Sequence, residues 1–171
     1  YVPSHIRVRP YQILRGLAAR GHRLTLVTVW STDEERNDLE ALRSTCAIES
    51  VRLSRRSSWG NCLAAVPSRM PLQAVYSWDN GLAARAEKLA QAADVIHVEH
   101  LRGSAYGLRL VQSSGRPSHV PIVWDSVDCI SLLFGQAIRH APWSARSSFL
   151  RFELARTRRL EARLVRVFHR T

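Results

Sequence analysis

The residues able to do chemistry in this 171-residue chain gather in two short runs. The first is Asp94-Val95-Ile96-His97-Val98-Glu99-His100, followed by Leu101-Arg102-Gly103. In an extended segment alternate side chains share a face, so His97 and Glu99 point the same way and His100 falls at or just past the strand end. Two imidazoles and a carboxylate there suit a hydroxylated or phosphorylated substrate, or acid and base work near neutral pH. The plainer alternative is a hydrogen-bonded core His97, with Glu99 paired to Arg102. The second run, Trp124-Asp125-Ser126-Val127-Asp128, again follows an apolar segment. Its two carboxylates could orient sugar hydroxyls or stabilise developing positive charge; alternatively Asp125 or Asp128 caps a helix starting near Ile130.

A third candidate is the opening loop, Pro3 to Pro10, which carries His5, Arg7 and Arg9 into a helix N-terminus. Backbone N–H groups there favour anions, and guanidinium forks match phosphate or carboxylate; a solvated basic loop is the alternative. Neither GxGxxG nor a P-loop is present, so a dinucleotide or NTPase site has no support. Cys46, Cys62 and Cys129 are odd in number and lack the spacing of a zinc site or redox pair. They read as free thiols in a reducing cytosol, with no metal and no cofactor expected.

These runs need elements to hold them. Ile13, Leu14, Leu17 and Ala18 recur at helical spacing up to Gly21, a residue type that ends helices. Leu24 to Val29 reads as a strand buried on both faces. Thr32 or Asp33 offers an N-cap for a helix to about Ser44, and Ala47 to Leu53 is a second strand. Arg55 to Ser77 is the least regular stretch and predicts short helices and loops. A helix from Asn80 to about Ala92, a strand from Asp94 to Glu99, a helix from Gly103 to Ser113 and a strand from Val120 to Trp124 follow. After Asp128 the pattern is helical, with a basic amphipathic segment from about Ala145 to Phe168. Strands alternating with helices predict an α/β fold, a Rossmann-like doubly wound parallel sheet with flanking helices. Ligands of such sheets sit at the carboxyl ends of the strands, just after Val29, Val98 and Trp124.

The formal net charge is +11, and every base but Lys88 is arginine. The excess lies in residues 1–23 and 142–171, while the stretch between them balances. A nucleic-acid surface would concentrate bases and aromatics on the binding face, whereas the His and Asp runs lie in the neutral part, so no nucleic acid is expected. The arginine-rich terminal helix either packs on a sheet or lies on an anionic membrane surface. No stretch of 18 apolar residues exists to span a bilayer.

The passage Arg9 to Val27, with its Leu-Ala-Ala-Arg-Gly-His-Arg-Leu-Thr-Leu-Val core, followed by DVIHVEH and then VPIVWDSVD, resembles the N-terminal, acceptor-side domain of family-4-type GT-B glycosyltransferases. The similarity covers nearly the whole chain, residues 1–171. It implies one of two Rossmann-like domains flanking a cleft, and transfer of a sugar with retention from a nucleotide-sugar donor to a glycan or lipid-linked acceptor, without a catalytic metal. It implies that Pro3 to Arg9, His97 to His100 and Asp125 to Asp128 face the cleft. Asp125, His97 and His100 are then the catalytic candidates, and His5, Arg7, Arg9, Glu99, Arg102 and Asp128 contact substrate. Two departures are visible: the glycine pair usual in the family's first loop is absent between Tyr1 and Pro10, and Asp125 stands where many members have a histidine. The resemblance further implies a first strand before Tyr1, a strand after Phe168 and a C-terminal donor-binding domain beyond this segment, which alone should be inactive and poorly stable. The expected location is cytoplasmic, with peripheral contact at the inner membrane face as the alternative should the terminal helix lie on a membrane. The competing reading is a non-catalytic basic α/β module binding nucleic acid or anionic lipid.

Overall fold

A computed structural model describes residues 8–113, 119–139 and 142–169. The chain packs as two units, Tyr1–Arg55 with Asp79–Arg85, and Arg56–Trp78 with Ala86–Thr171. In the first, helix α1 (Val8–Ala19) begins two residues before Pro10. Proline fits a first helical turn, where its missing N–H loses no bond. Arg9 therefore sits on a helix, not in the expected loop, and is exposed. The helix ends as its sequence predicts: Gly21 adopts φ 83°, and the N–H groups of Gly21 and His22 donate to the carbonyls of Ala18 and Leu17 at 2.9 and 3.2 Å.

Strand β1 (Thr25–Trp30) pairs parallel with β2 (Ala47–Arg52), Thr25 opposite Ala47 and Trp30 opposite Arg52. The crossover is helix α2 (Asp33–Ala41), extended by a 3-10 turn at Leu42–Ser44. Thr32 caps it by accepting the Glu35 N–H at 3.2 Å, while the Glu35 carboxylate returns to the Ser31 N–H at 2.7 Å. Leu39, Leu42, Cys46 and Ile48 form the core beneath Tyr11, Leu14, Leu24, Leu26 and Trp30. Strand β1 is half-buried, not buried on both faces as its composition suggests. The apolar cluster covers the side carrying Leu26 and Trp30, and among the described residues the sheet is only two strands wide.

The second unit contains α3 (Arg55–Ala65), α4 (Leu72–Val75), the end of α5 (Asn80–Ala90), β3 (Ile96–Glu99), α6 (His100–Gln112), β4 (Ile122–Asp125), α7 (Ile130–Arg139) and α8 (Ala145–Val167). The stretch from Arg55 to Ser77, expected to hold short helices and loops, carries the three-turn α3 and the one-turn α4. The buried stripe of α3 is Ser58, Cys62 and Ala65, residues too small or polar to advertise an apolar period. Strands β3 and β4 pair parallel, Ile96 opposite Ile122 and Glu99 opposite Asp125. The fold is therefore α/β with parallel strands, in two two-stranded sheets among the described residues.

Helix α6 starts at His100 rather than Gly103, so both glycines of the GSAYG run lie inside it. They let the helix approach β3. A Cβ at Gly107 would stand 2.9 Å from a Val98 methyl and 2.8 Å from the Phe168 ring, and one at Gly103 would stand 3.2 Å from Val98. Gly107→Ala is expected to lower stability by about 1–3 kcal/mol despite alanine's better helix propensity, because overpacking a filled core outweighs it. Urea denaturation of the two proteins checks this.

Helix α8 opens with a capping box, Ser144 and Ser147 each accepting the other's backbone N–H at 3.2 and 2.9 Å. Its buried side carries a salt bridge. Arg156 and Glu153 are each 2% exposed and meet at 2.9 Å. Arg156 Nη2 also donates to the carbonyl oxygens of Ala65 and Ser68, at the C-terminal end of α3. Glu153 accepts the Leu72 N–H at the start of α4, at 2.8 Å. The cation thus meets a helix's negative end and the carboxylate an N-terminal donor.

Candidate functional site

The β3–β4 ladder sorts side chains by parity. Residues paired across a parallel sheet share a face, so Val98, Ile122 and Trp124 form one side, all buried, while His97, Glu99 and Asp125 form the other. The shared face expected for His97 and Glu99 is present, and the register adds Asp125 to it. His97 Nε2 lies 3.7 Å from Asp125 Oδ2, with the imidazole far more exposed than the carboxylate. At that distance the two groups are close enough for charge–charge attraction but too far apart for a hydrogen bond.

Both strands end in unusual backbone. Among the described non-glycine residues, only His100 (φ 59°) and Val127 (φ 58°) lie at positive φ. For β-branched Val127 this conformation is strained by about 1–3 kcal/mol. Each follows the last residue of a strand by one or two positions. Asp125 is the last residue of β4, and its Oδ1 accepts the Val127 N–H at 3.1 Å, bending the chain there. The Asp128 N–H donates to the Ser126 carbonyl at 2.6 Å, and the Asp128 side chain is exposed.

His100 is half-buried, and its Nδ1 accepts the Arg102 N–H at 3.4 Å, placing its proton on Nε2. Burial holds its pKa below the usual histidine range; the Arg102 charge adds to this and Asp128 opposes it. The folded protein thus keeps His100 neutral where the unfolded chain still binds a proton. The stability this provides is present above the unfolded value of about 6.5 and is lost as pH falls below it toward the lowered folded value. His100→Asn, which tolerates the left-handed conformation, is expected to flatten the stability profile below about pH 6.5; thermal melts on both sides of that pH measure it.

The Arg102 guanidinium lies 5.3 Å from the centre of the Tyr76 ring, a contact the sequence did not suggest. The only signal was an aromatic in the stretch read as short helices and loops. His97, Glu99, His100, Arg102, Asp125 and Asp128 therefore come together in the second unit. Arg9 belongs to the first, and His5 and Arg7 lie outside the described residues. A groove of about 450 Å³ also opens in the second unit beside α3, α6 and α8, but Trp78, Leu108, Arg109 and Arg163 line it, and no strand-end residue does. Among the described residues no group of three or more His, Cys, Asp or Glu side chains could hold a metal ion. None of their helices is long and apolar enough to cross a membrane.

No family model, curated protein or solved structure matches the chain.

Proposed function

We propose that the chain is the acceptor-side part of a retaining glycosyltransferase that moves a sugar from a nucleotide-sugar donor to a glycan or lipid-linked acceptor. The observation that supports this best is the polar face made by His97, Glu99 and Asp125 at the carboxyl ends of adjacent parallel strands, where α/β sheets bind ligands. Glu99 and Asp125 accept hydrogen bonds from acceptor hydroxyls. His97 receives the hydroxyl proton at Nδ1 as the acceptor oxygen bonds to the anomeric carbon on the same face from which the donor phosphate leaves, so that configuration is retained while the nucleoside diphosphate departs with the electron pair. Asp125 stabilises the resulting imidazolium. His100 stays neutral and donates from Nε2, and Arg102 and Asp128 frame the mouth. A doubly wound parallel sheet, a donor-binding domain outside this segment and a cytoplasmic site of action belong to the same proposal.

The test is release of nucleoside diphosphate from a panel of nucleotide sugars by the intact protein that contains this chain, with the anomeric configuration of the product read by NMR. Release with retained configuration supports the proposal. Absence of any turnover across donors and acceptors, together with tight, salt-dependent DNA binding, would favour the nucleic-acid module instead.

A further inference from the structure

We infer that the outward face of α8, with Trp143 and the outer side of α7, docks on an anionic lipid bilayer. Helix α8 holds seven arginines and two glutamates, and both acids are turned inward. Glu153 is buried with Arg156, and Glu161, half-buried, accepts the Ser131 N–H of α7 at 3.1 Å. The outward face keeps Arg158, Arg159 and Arg166, all exposed and without an acid among them. Folding therefore makes this surface more cationic than the helix's own composition.

Large apolar side chains are interleaved with that charge. Trp143 is 81% exposed, with the Arg151 guanidinium 4.1 Å from its ring centre. Phe149 and Phe152, neighbours one turn apart, are each about half exposed, as are Leu132 and Leu133 on α7. Guanidinium groups beside exposed aromatics fit both lipid headgroups and nucleic acid. The aliphatic pair decides between them: leucines give bases no stacking surface but enter the acyl boundary readily. This surface is separate from the strand-end residues, and the inference does not depend on their chemistry.

Flotation with phosphatidylcholine vesicles, with and without phosphatidylglycerol, tests it on the full chain. Binding is expected only to the anionic vesicles and to weaken with salt. Replacing Arg158, Arg159 and Arg166 together by glutamine should weaken it roughly a hundredfold, about fivefold per arginine. Leu132→Ser with Leu133→Ser should weaken it about tenfold or more while leaving the circular dichroism spectrum unchanged. Equal binding to neutral vesicles, no vesicle binding, or folded variants that bind as well as the parent would overturn the inference. So would capture of single-stranded DNA with a steep salt slope by a protein that ignores vesicles.

Discussion

Arg156→Met is expected to lower the stability of the second unit by about 3–5 kcal/mol, although methionine matches the volume and apolar character of the site. The cost comes from what remains. Glu153 stays buried with one N–H donor, from Leu72, and loses its counter-charge, and the Ser68 carbonyl loses its guanidinium donor, whereas the Ala65 carbonyl keeps the Ser68 N–H and hydroxyl. Adding Glu153→Met should recover much of the loss, since a buried ion pair replaced as a whole by apolar groups is close to neutral. Guanidinium denaturation of both single variants and the double variant completes the cycle. Exposed Arg158→Ala serves as the control and should move the midpoint by less than about 0.5 kcal/mol.

On the proposed function, Asp125→Asn should reduce glycosyl transfer by roughly a hundredfold or more while leaving the fold intact. The substitution separates two roles that the wild-type carboxylate combines. An asparagine carbonyl can still accept the Val127 N–H and preserve the bend after β4. It cannot stabilise an imidazolium at His97, 3.7 Å from the present carboxylate. If Asp125 serves the turn alone, kcat and melting temperature both stay at wild-type values. If it serves the proton transfer, kcat falls with KM and the melting temperature nearly unchanged. Measuring kcat, KM and a melt on the same preparation distinguishes the outcomes.

The polar face of β3 and β4 was readable in the sequence because strand parity is a local property. His97 and Glu99 alternate with Ile96 and Val98, so their shared face required no knowledge of the neighbours. That Asp125 joins them depends on register, which is set by a partner strand beyond an intervening helix. The start of α6 was not readable. Histidine carries no strong helix signal, and the left-handed backbone at His100 is imposed by its surroundings. Two acidic-basic pairs make the same point. Glu40 with Arg43 and Glu153 with Arg156 have identical spacing, yet the first pair is about half exposed and the second buried. Burial here follows from the segment between α3 and α4 packing over α8, a contact between residues far apart in the chain. The breadth of the sheet was likewise beyond local pattern: β1 has the composition of a fully buried strand but is half-buried in the structure.

The distances along the chain that separate bonded partners also order events in time. Each parallel ladder closes over a single helical crossover, Thr25 meeting Ala47 and Ile96 meeting Ile122. Loop-closure entropy rises only slowly with length, so each pairing becomes accessible soon after its second strand leaves the ribosome. The Arg156 clasp is different. Its carbonyl partners at Ala65 and Ser68 are synthesised well before α8 exists. Until α8 is made, the Ser68 carbonyl and the Leu72 N–H lack the side-chain partners they have in the folded unit, and water is what satisfies them.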